Sequence, residues 1–286
     1  MTKFWRSFRL GPLIAAAAIL GVLTLTACGD DDDAKKDDYV EQPVNKLYND
    51  AMNALAEERY KDAAKAFDEV EREHPYSMWA TKAQLMAAYA LYQDNQFDDA
   101  IGDLDRFIQL HPGNRDIAYA YYLKALCYYE QVTDVERDQS ASEKAMASFE
   151  ELIRRYPDTA YARDGRKKLD LVKDHLAGKE MEVGRYYETR GLYLAAINRF
   201  KGVVDKYQTT TQVPEALYRL IECYMALGIV DEARRTAAVL GYNYPSSSWY
   251  LDGYQLVENV KVNPGTGQAQ TNQSILGRAW NSIDIF

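Results

Sequence analysis

One recurring pattern decides what this chain can fold into. The run Arg59-Tyr60-Lys61-Asp62-Ala63-Ala64-Lys65-Ala66-Phe67 leads to His74-Pro75, and Gln96-Phe97-Asp98-Asp99-Ala100-Ile101-Gly102-Asp103-Leu104 leads to His111-Pro112. The order returns with Ala145, Phe149 and Tyr156-Pro157, then with Tyr193, Ala196, Phe200 and Tyr207, where Gln208 stands in the proline's place. A fifth copy has Val230, Ala233, Leu240 and Tyr244-Pro245. The closing positions are 37, 45, 51 and 37 residues apart. Periods of this length mark stacked repeats. Each unit starts with apolar residues at helical spacing, such as Leu85, Ala88, Leu91 and Tyr92. A polar turn, Asp94-Asn95-Gln96, leads into a second helix with Asp98 and Asp99 near its start, where negative charge suits the helix dipole. Ala63, Ala100, Ala145, Ala196 and Ala233 let the two helices approach closely. Proline then stops the second helix. One such hairpin cannot bury its apolar face alone, but a stack can. The expected fold is all-α, a solenoid of about five helix-pair repeats.

The spacing resembles the tetratricopeptide repeat, whose period is ~34 residues. It departs from that motif in its longer period, in the absence of a first-helix tryptophan, and in an eight-residue insertion over 132–139. Residues 161–176 add helix between the third and fourth copies and are expected to extend the first helix of repeat four. The domain layout is then repeats one to three over 44–158, link helix and repeats four and five over 159–252, and a flexible tail over 253–286. Within the tail, 264–272 is polar, while 275–286 is apolar enough for a short helix or strand that caps the last repeat or meets a partner. Cys127 and Cys223 fall at the same inner place of repeats three and five, so both are expected to be buried and too far apart to bridge.

Lys3, Arg6 and Arg9 precede an apolar run, the layout of a secretory signal peptide over 1–27. The uncharged stretch over 10–28 is 19 residues long. That is close to the ~20 of a membrane span, so an uncleaved anchor is the competing reading. Leu25, three residues before Cys28, resembles the lipobox of bacterial lipoproteins. That resemblance implies cleavage before Cys28, acylation of Cys28 on sulfur and amine, and a membrane anchor of several acyl chains. In such lipoproteins an aspartate after the cysteine favours retention in the inner membrane. Gly29 stands there, which implies the periplasmic face of the outer membrane. The acidic stretch over 28–43 cannot bury enough apolar surface to order itself and is expected to be a tether.

Without residues 1–27 the chain keeps 31 basic against 43 acidic residues, a net charge of −12. Nucleic acid asks for a basic face, so it is excluded as a partner. The three histidines, His74, His111 and His175, form no metal-binding motif, and no phosphate loop or nucleophile elbow is present. No enzymatic activity, cofactor or metal is expected. What remains is a concave surface lined by the first helices. Its inward positions carry Tyr48 and Leu55, then Tyr89, Tyr92 and Gln93, then Tyr119, Tyr122 and Tyr129. Tyrosine offers a broad apolar face and a hydrogen-bonding tip, which suits an extended peptide. The competing reading packs these rings between helices.

The lipobox, acidic tether and five repeats together resemble the BamD (YfiO) family of outer-membrane assembly lipoproteins. Tyr48-Asn49-Asp50-Ala51, the run from Phe67 to Pro75-Tyr76-Ser77, and Val183-Gly184-Arg185-Tyr186-Tyr187 carry the resemblance, which ends near Tyr250. It implies membership of the β-barrel assembly machinery alongside other Bam lipoproteins. The amino-terminal repeats would receive unfolded outer-membrane precursors by their aromatic-ended carboxyl-terminal segment. The carboxyl-terminal repeats would dock on the POTRA domains of BamA. Asn198-Arg199 matches a family stretch near that contact, which implies Arg199 as an ionic anchor. The alternative is a repeat lipoprotein that serves as an adaptor for peptidoglycan-remodelling enzymes.

Overall fold

A computed structural model of the 286-residue chain describes residues 42–134 and 137–258, and the backbone of 260–262 and 269–271. The signal peptide read over 1–27, Cys28, the tether up to residue 41 and the apolar stretch over 275–286 lie outside the described residues. The described helices form five successive hairpins. These are α1 (Val44–Ala56) with α2 (Tyr60–Glu73), α3 (Met78–Gln93) with α4 (Phe97–Leu110), α5 (Ile117–Glu130) with α6 (Ser140–Arg155), α7 (Ala160–Thr189) with α8 (Tyr193–Lys206), and α9 (Val213–Ala226) with α10 (Val230–Asn243). A last helix, α11 (Ser248–Glu258), packs on α9 and α10. Each helix otherwise packs mainly on its neighbours in sequence, as stacked hairpins must. The chain is an all-α solenoid of tetratricopeptide-like repeats from Val44 to Glu258. Among the described residues no helix is long and apolar enough to cross a membrane.

The repeats are built from the same two turns. Four first helices end with a residue at positive φ: Glu58 at 59°, Asn95 at 59°, Gly191 at 73° and Gly228 at 75°. The next N–H closes back across the turn in each case. Arg59 N–H donates to Ala54 O at 3.0 Å, Gln96 N–H to Leu91 O at 2.9 Å, Leu192 N–H to Tyr187 O at 2.9 Å, and Ile229 N–H to Tyr224 O at 2.8 Å. This is the Schellman closure, which suits glycine because a side chain crowds the left-handed region by about 1 kcal/mol. Glu58 and Asn95 accept that strain. The third hairpin, with its insertion, uses a longer loop between Glu130 and Ser140. The second helices end on His74, His111, Tyr156, Tyr207 and Tyr244, all with φ between −125° and −133°. Proline after the cap excludes the helical region there. Tyr207, followed by Gln208, takes the same shape without proline, so packing also holds this turn.

The spine is a register of small against large. Ala51, Ala88, Ala125 and Gly184 recur on the first helices, and Phe67, Leu104, Phe149 and Phe200 on the second; all are buried. At Gly184 the pairing is explicit, because an added Cβ would stand 2.3 Å from Phe200 Cε1. Repeat five reverses the order: Ile221 takes the small position, Ala237 takes the large one, and both are buried in one cluster. Leu240, read in sequence as the large residue of that repeat, aligns instead with Val70, Phe107, Leu152 and Val203, one helical turn on.

Helix α7 joins the two halves. Its Leu169, Val172 and Leu176 belong to the core of the second and third hairpins, and its Ala177 and Met181 to that of the fourth and fifth. Thirty residues in one helix span about 45 Å, so the link and the first helix of repeat four are a single rod. Two sequence expectations change. Trp79 does stand on a first helix, α3, so a first-helix tryptophan is present in repeat two. The tail does not begin at 253: α11 runs on to Glu258 with Gly253 and Val257 buried, because Gly253 lets the helix approach Ile221 Cδ1. A short antiparallel hairpin follows, β1 (Val260–Val262) with β2 (Ala269–Thr271), placing part of the stretch read as unstructured.

Candidate binding clefts

The amino-terminal tyrosines converge. Tyr119 on α5 meets the Tyr161 ring at 5.4 Å, and Tyr122, one turn on, meets the same ring at 5.5 Å. The Tyr122 hydroxyl donates to Asp164 Oδ2 at 2.6 Å. From α3, Tyr89 and Tyr92 reach the field of Tyr119, and Gln93 Nε2 donates to the Tyr89 hydroxyl at 2.8 Å. The Tyr92 hydroxyl donates to Glu130 Oε1 at 3.4 Å. At the amino-terminal end the Tyr48 ring rests on Trp79 at 4.7 Å and on Phe67 at 5.5 Å. Tyr48, Tyr119 and Tyr161 line a cleft of about 290 Å³, floored by Leu85, Met86 and Phe107.

Six of the seven groove residues read from the sequence thus sit in one neighbourhood. Tyr129 does not join them. It lies two turns beyond Tyr122 on α5, where its ring meets Phe149 at 6.2 Å and carries Lys168 Nζ at 4.9 Å. The competing packing reading applies to it. Leu55 is half-buried and packs against the amino-terminal core rather than the cleft. The sequence reading missed Tyr161, Trp79 and Lys82. The first two each stand four residues after a repeat-closing proline, Pro157 and Pro75, as does Trp249 after Pro245, so a signal was present. Lys82 lies on the cleft lining with Nζ 5.2 Å over the Trp79 ring, and it forms no ion pair among the described residues. Burial pushes the Tyr92 phenol up to about 12 and those of Tyr119 and Tyr122 upward as well, so all three remain neutral donors across the physiological range. The cleft therefore offers the aromatic faces of Tyr48, Tyr119 and Tyr161 and the ammonium of Lys82, with Asp116 also on its lining.

A second cleft, of about 370 Å³, lies on the fourth hairpin, lined by Glu180, Tyr187, Asn198, Arg199, Lys206 and Tyr207. Arg199 Nη1 contacts Glu180 Oε2 at 3.1 Å and Oε1 at 3.3 Å. The guanidinium is half-exposed, so this pair contributes little to stability.

Nothing in the sequence pointed to a third feature, a buried charge cluster between α7, α9 and α11. Glu188, 3% exposed, lies 3.7 Å from Arg219 Nη1. Arg219 also holds Glu222 at 2.9 Å and Glu215 at 3.4 Å, and its guanidinium lies 5.8 Å over the rings of Tyr218 and Trp249. Arg185 reaches Glu215 at 3.1 Å. The Cys223 thiol donates to Glu188 Oε1 at 3.7 Å. Desolvation, reinforced by Glu222, raises the Glu188 carboxyl to about 7. Burial also raises Glu222. Cys127 and Cys223 are buried and free, and burial pushes the Cys127 thiol up to about 12, so neither is a nucleophile. Among the described residues no group of His, Cys, Asp and Glu could hold a metal ion.

Comparison with known proteins places this architecture. Residues 40–240 match the family described as YfiO, outer membrane lipoprotein. The outer membrane protein assembly factor BamD of Caulobacter vibrioides is 48% identical over 91% of this chain and 85% of its own length. The BamD of Rickettsia prowazekii is 47% identical over 88% of this chain and 99% of its own length. That of Neisseria gonorrhoeae is 35% identical over 82% and 92%. Five helix hairpins, a continuous link rod and these relatives across most of both lengths agree: the chain belongs to the BamD (YfiO) family of outer membrane lipoproteins.

Proposed function

We propose that this chain is a lipid-anchored scaffold of outer-membrane β-barrel assembly, held at the periplasmic face by acyl chains on Cys28. Its amino-terminal cleft receives unfolded precursors, and its fourth hairpin docks on the POTRA domains of BamA. The observation that carries this reading is the separation of two unlike clefts on one solenoid. The first is aromatic, with Tyr48, Tyr119 and Tyr161 on its walls and Lys82 at its rim. It suits an extended chain ending in an aromatic residue, with Lys82 facing the terminal carboxylate. The second is polar and presents Arg199, already oriented by Glu180, to an acidic partner. Partners held at different hairpins of a rod-linked solenoid are kept at a fixed separation, which is what a scaffold supplies without chemistry of its own.

Purification from membranes through a tag on this chain tests the second cleft. The unmodified chain is expected to bring down a POTRA-bearing barrel protein. Arg199→Glu is expected to lower that yield roughly tenfold, as reversal of an interfacial charge does, while Tyr119→Ala leaves it unchanged. Recovery of peptidoglycan endopeptidases in place of the barrel protein would favour the adaptor reading and overturn this one.

A further inference from the structure

Each hairpin joins the next at one edge of the solenoid, where a second helix ends and the following first helix begins. The described chain also enters there. His74 Nε2, at the end of α2, lies 2.7 Å from the carbonyl oxygen of Gln42, two residues before α1.

This edge carries its charge unevenly. From Arg154 to Lys168, around the turn between α6 and α7, six basic residues stand against two acidic ones. The matching windows around the other four turns carry net charges between +1 and −1. Arg154, Arg155, Arg163, Arg166 and Lys167 are exposed. Arg166 Nη2 donates to Pro157 O at 2.9 Å, which holds its guanidinium over the turn that Arg154 and Arg155 enter. Arg155 pairs with Glu151 at 2.8 Å, whereas Arg154, Arg163 and Lys167 form no ion pair among the described residues. Of the two acids, Asp164 is taken by the Tyr122 hydroxyl.

The same edge also exposes large apolar side chains. Tyr76, in the turn between α2 and α3, is fully exposed, and Met78 at the start of α3 is 82% exposed. Tyr242, near the end of α10, is 87% exposed, and Leu110 at the end of α4 is 60% exposed. Cations beside exposed rings and a thioether fit a membrane–water interface, where cations meet headgroup phosphates and aromatic rings settle at headgroup level. The net charge of −12 does not oppose this, because at physiological ionic strength charges more than about 8 Å away are screened. The fourteen residues from Cys28 to Glu41 can reach at most about 50 Å. An anchor at Cys28 therefore keeps this edge close to its leaflet.

We infer that this edge docks on the anionic phospholipid headgroups of the leaflet that holds the anchor. Arg154, Arg163, Arg166 and Lys167 contact the phosphates, and Tyr76 and Met78 enter the interface. That placement rests on the reading of Cys28 as a lipid anchor.

Flotation of the full mature chain carrying Cys28→Ala, and so no acyl group, tests it. The chain is expected to bind vesicles of phosphatidylethanolamine with phosphatidylglycerol roughly tenfold or more tightly than vesicles of phosphatidylcholine alone. Arg154→Glu with Arg163→Glu and Lys167→Glu is expected to lower binding to the anionic vesicles roughly tenfold or more, at an unchanged thermal unfolding temperature. Tyr76→Ser with Met78→Ser is expected to lower it roughly threefold. Lys61→Glu with Lys65→Glu and Arg234→Glu reverses as many exposed charges in the early turns of α2 and α10, toward the opposite edge, and is expected to change nothing. Equal binding to both kinds of vesicle, binding that survives the reversal at the α6–α7 turn, or an equal loss in the α2 and α10 variant would overturn the inference. Self-association lost on the same reversal, with no vesicle binding, would assign the patch to a second copy and overturn it too. An unmodified chain found without acyl groups by mass spectrometry would defeat the anchor reading and this placement with it, whereas loss of vesicle binding alone defeats only the placement.

Discussion

Gly184→Ile is expected to disrupt the fourth hairpin, and Phe200→Ala added to it to restore much of the loss. Helix α7 passes α8 so closely at Gly184 that a Cβ would stand 2.3 Å from Phe200 Cε1 and 2.8 Å from Cδ1 and Cζ. Phe200 is fully buried, so its ring cannot move into solvent without unpacking the core. Overpacking at such a site costs about 3 kcal/mol or more. Phe200→Ala alone leaves a cavity the size of the ring and costs roughly 3–5 kcal/mol. The double variant recreates the reversed pair that repeat five already carries, Ile221 with Ala237. The two losses should therefore fail to add by roughly 2 kcal/mol or more in a denaturant double-mutant cycle. Additive losses would mean that small and large residues are not exchanged across the hairpin, and the register described for the spine would be wrong.

The second large effect is a dependence of stability on pH. Glu188 is buried with its carboxyl raised to about 7 from an ordinary 4.5. The folded chain therefore holds a proton that the unfolded chain releases between these values. Stability from this group is full below about pH 4.5, declines as the pH rises, and is lost above about 7. Its whole amplitude is at most about 3 kcal/mol, since each pKa unit is worth 1.36 kcal/mol. The groups facing it share the sign or oppose it in known ways. Glu222 on α9 raises it, Arg219 lowers it, and the Cys223 thiol, which donates to the carboxylate, lowers it as well. Glu188→Gln removes the titration but keeps the shape. Thermal unfolding of the unmodified chain and of this variant from pH 5 to pH 8 should give curves that diverge, with the unmodified chain losing more on the alkaline side. Parallel curves would show that Glu188 stays ionised in the fold.

How far the fold was legible follows from where its signals lie. The hairpins, the extended α7 and the burial of Cys127 and Cys223 all rest on periods within a few dozen residues, so the sequence exposes them. The Schellman turn was hidden in two of its four occurrences because Glu58 and Asn95 hold a conformation that glycine would advertise. The Glu188 cluster escaped because Arg219 is 31 residues away and nothing about either residue is unusual until α7 and α9 are packed together. Tyr129 parts from the other tyrosines for a related reason: the same helix face that opens on the cleft at Tyr119 closes on Phe149 nearly three turns later. The tail boundary failed on Gly253, where a glycine that permits close approach to Ile221 looks in sequence like the start of a loop.

Photo-crosslinking in intact cells from two positions tests directly whether one solenoid carries two unlike binding surfaces. A crosslinking residue at Tyr119 should capture newly exported barrel precursors, and one at Asn198 should capture the POTRA-bearing protein, with neither product appearing at the other position. The same partner captured at both positions, or precursors captured only on the fourth hairpin, would contradict it.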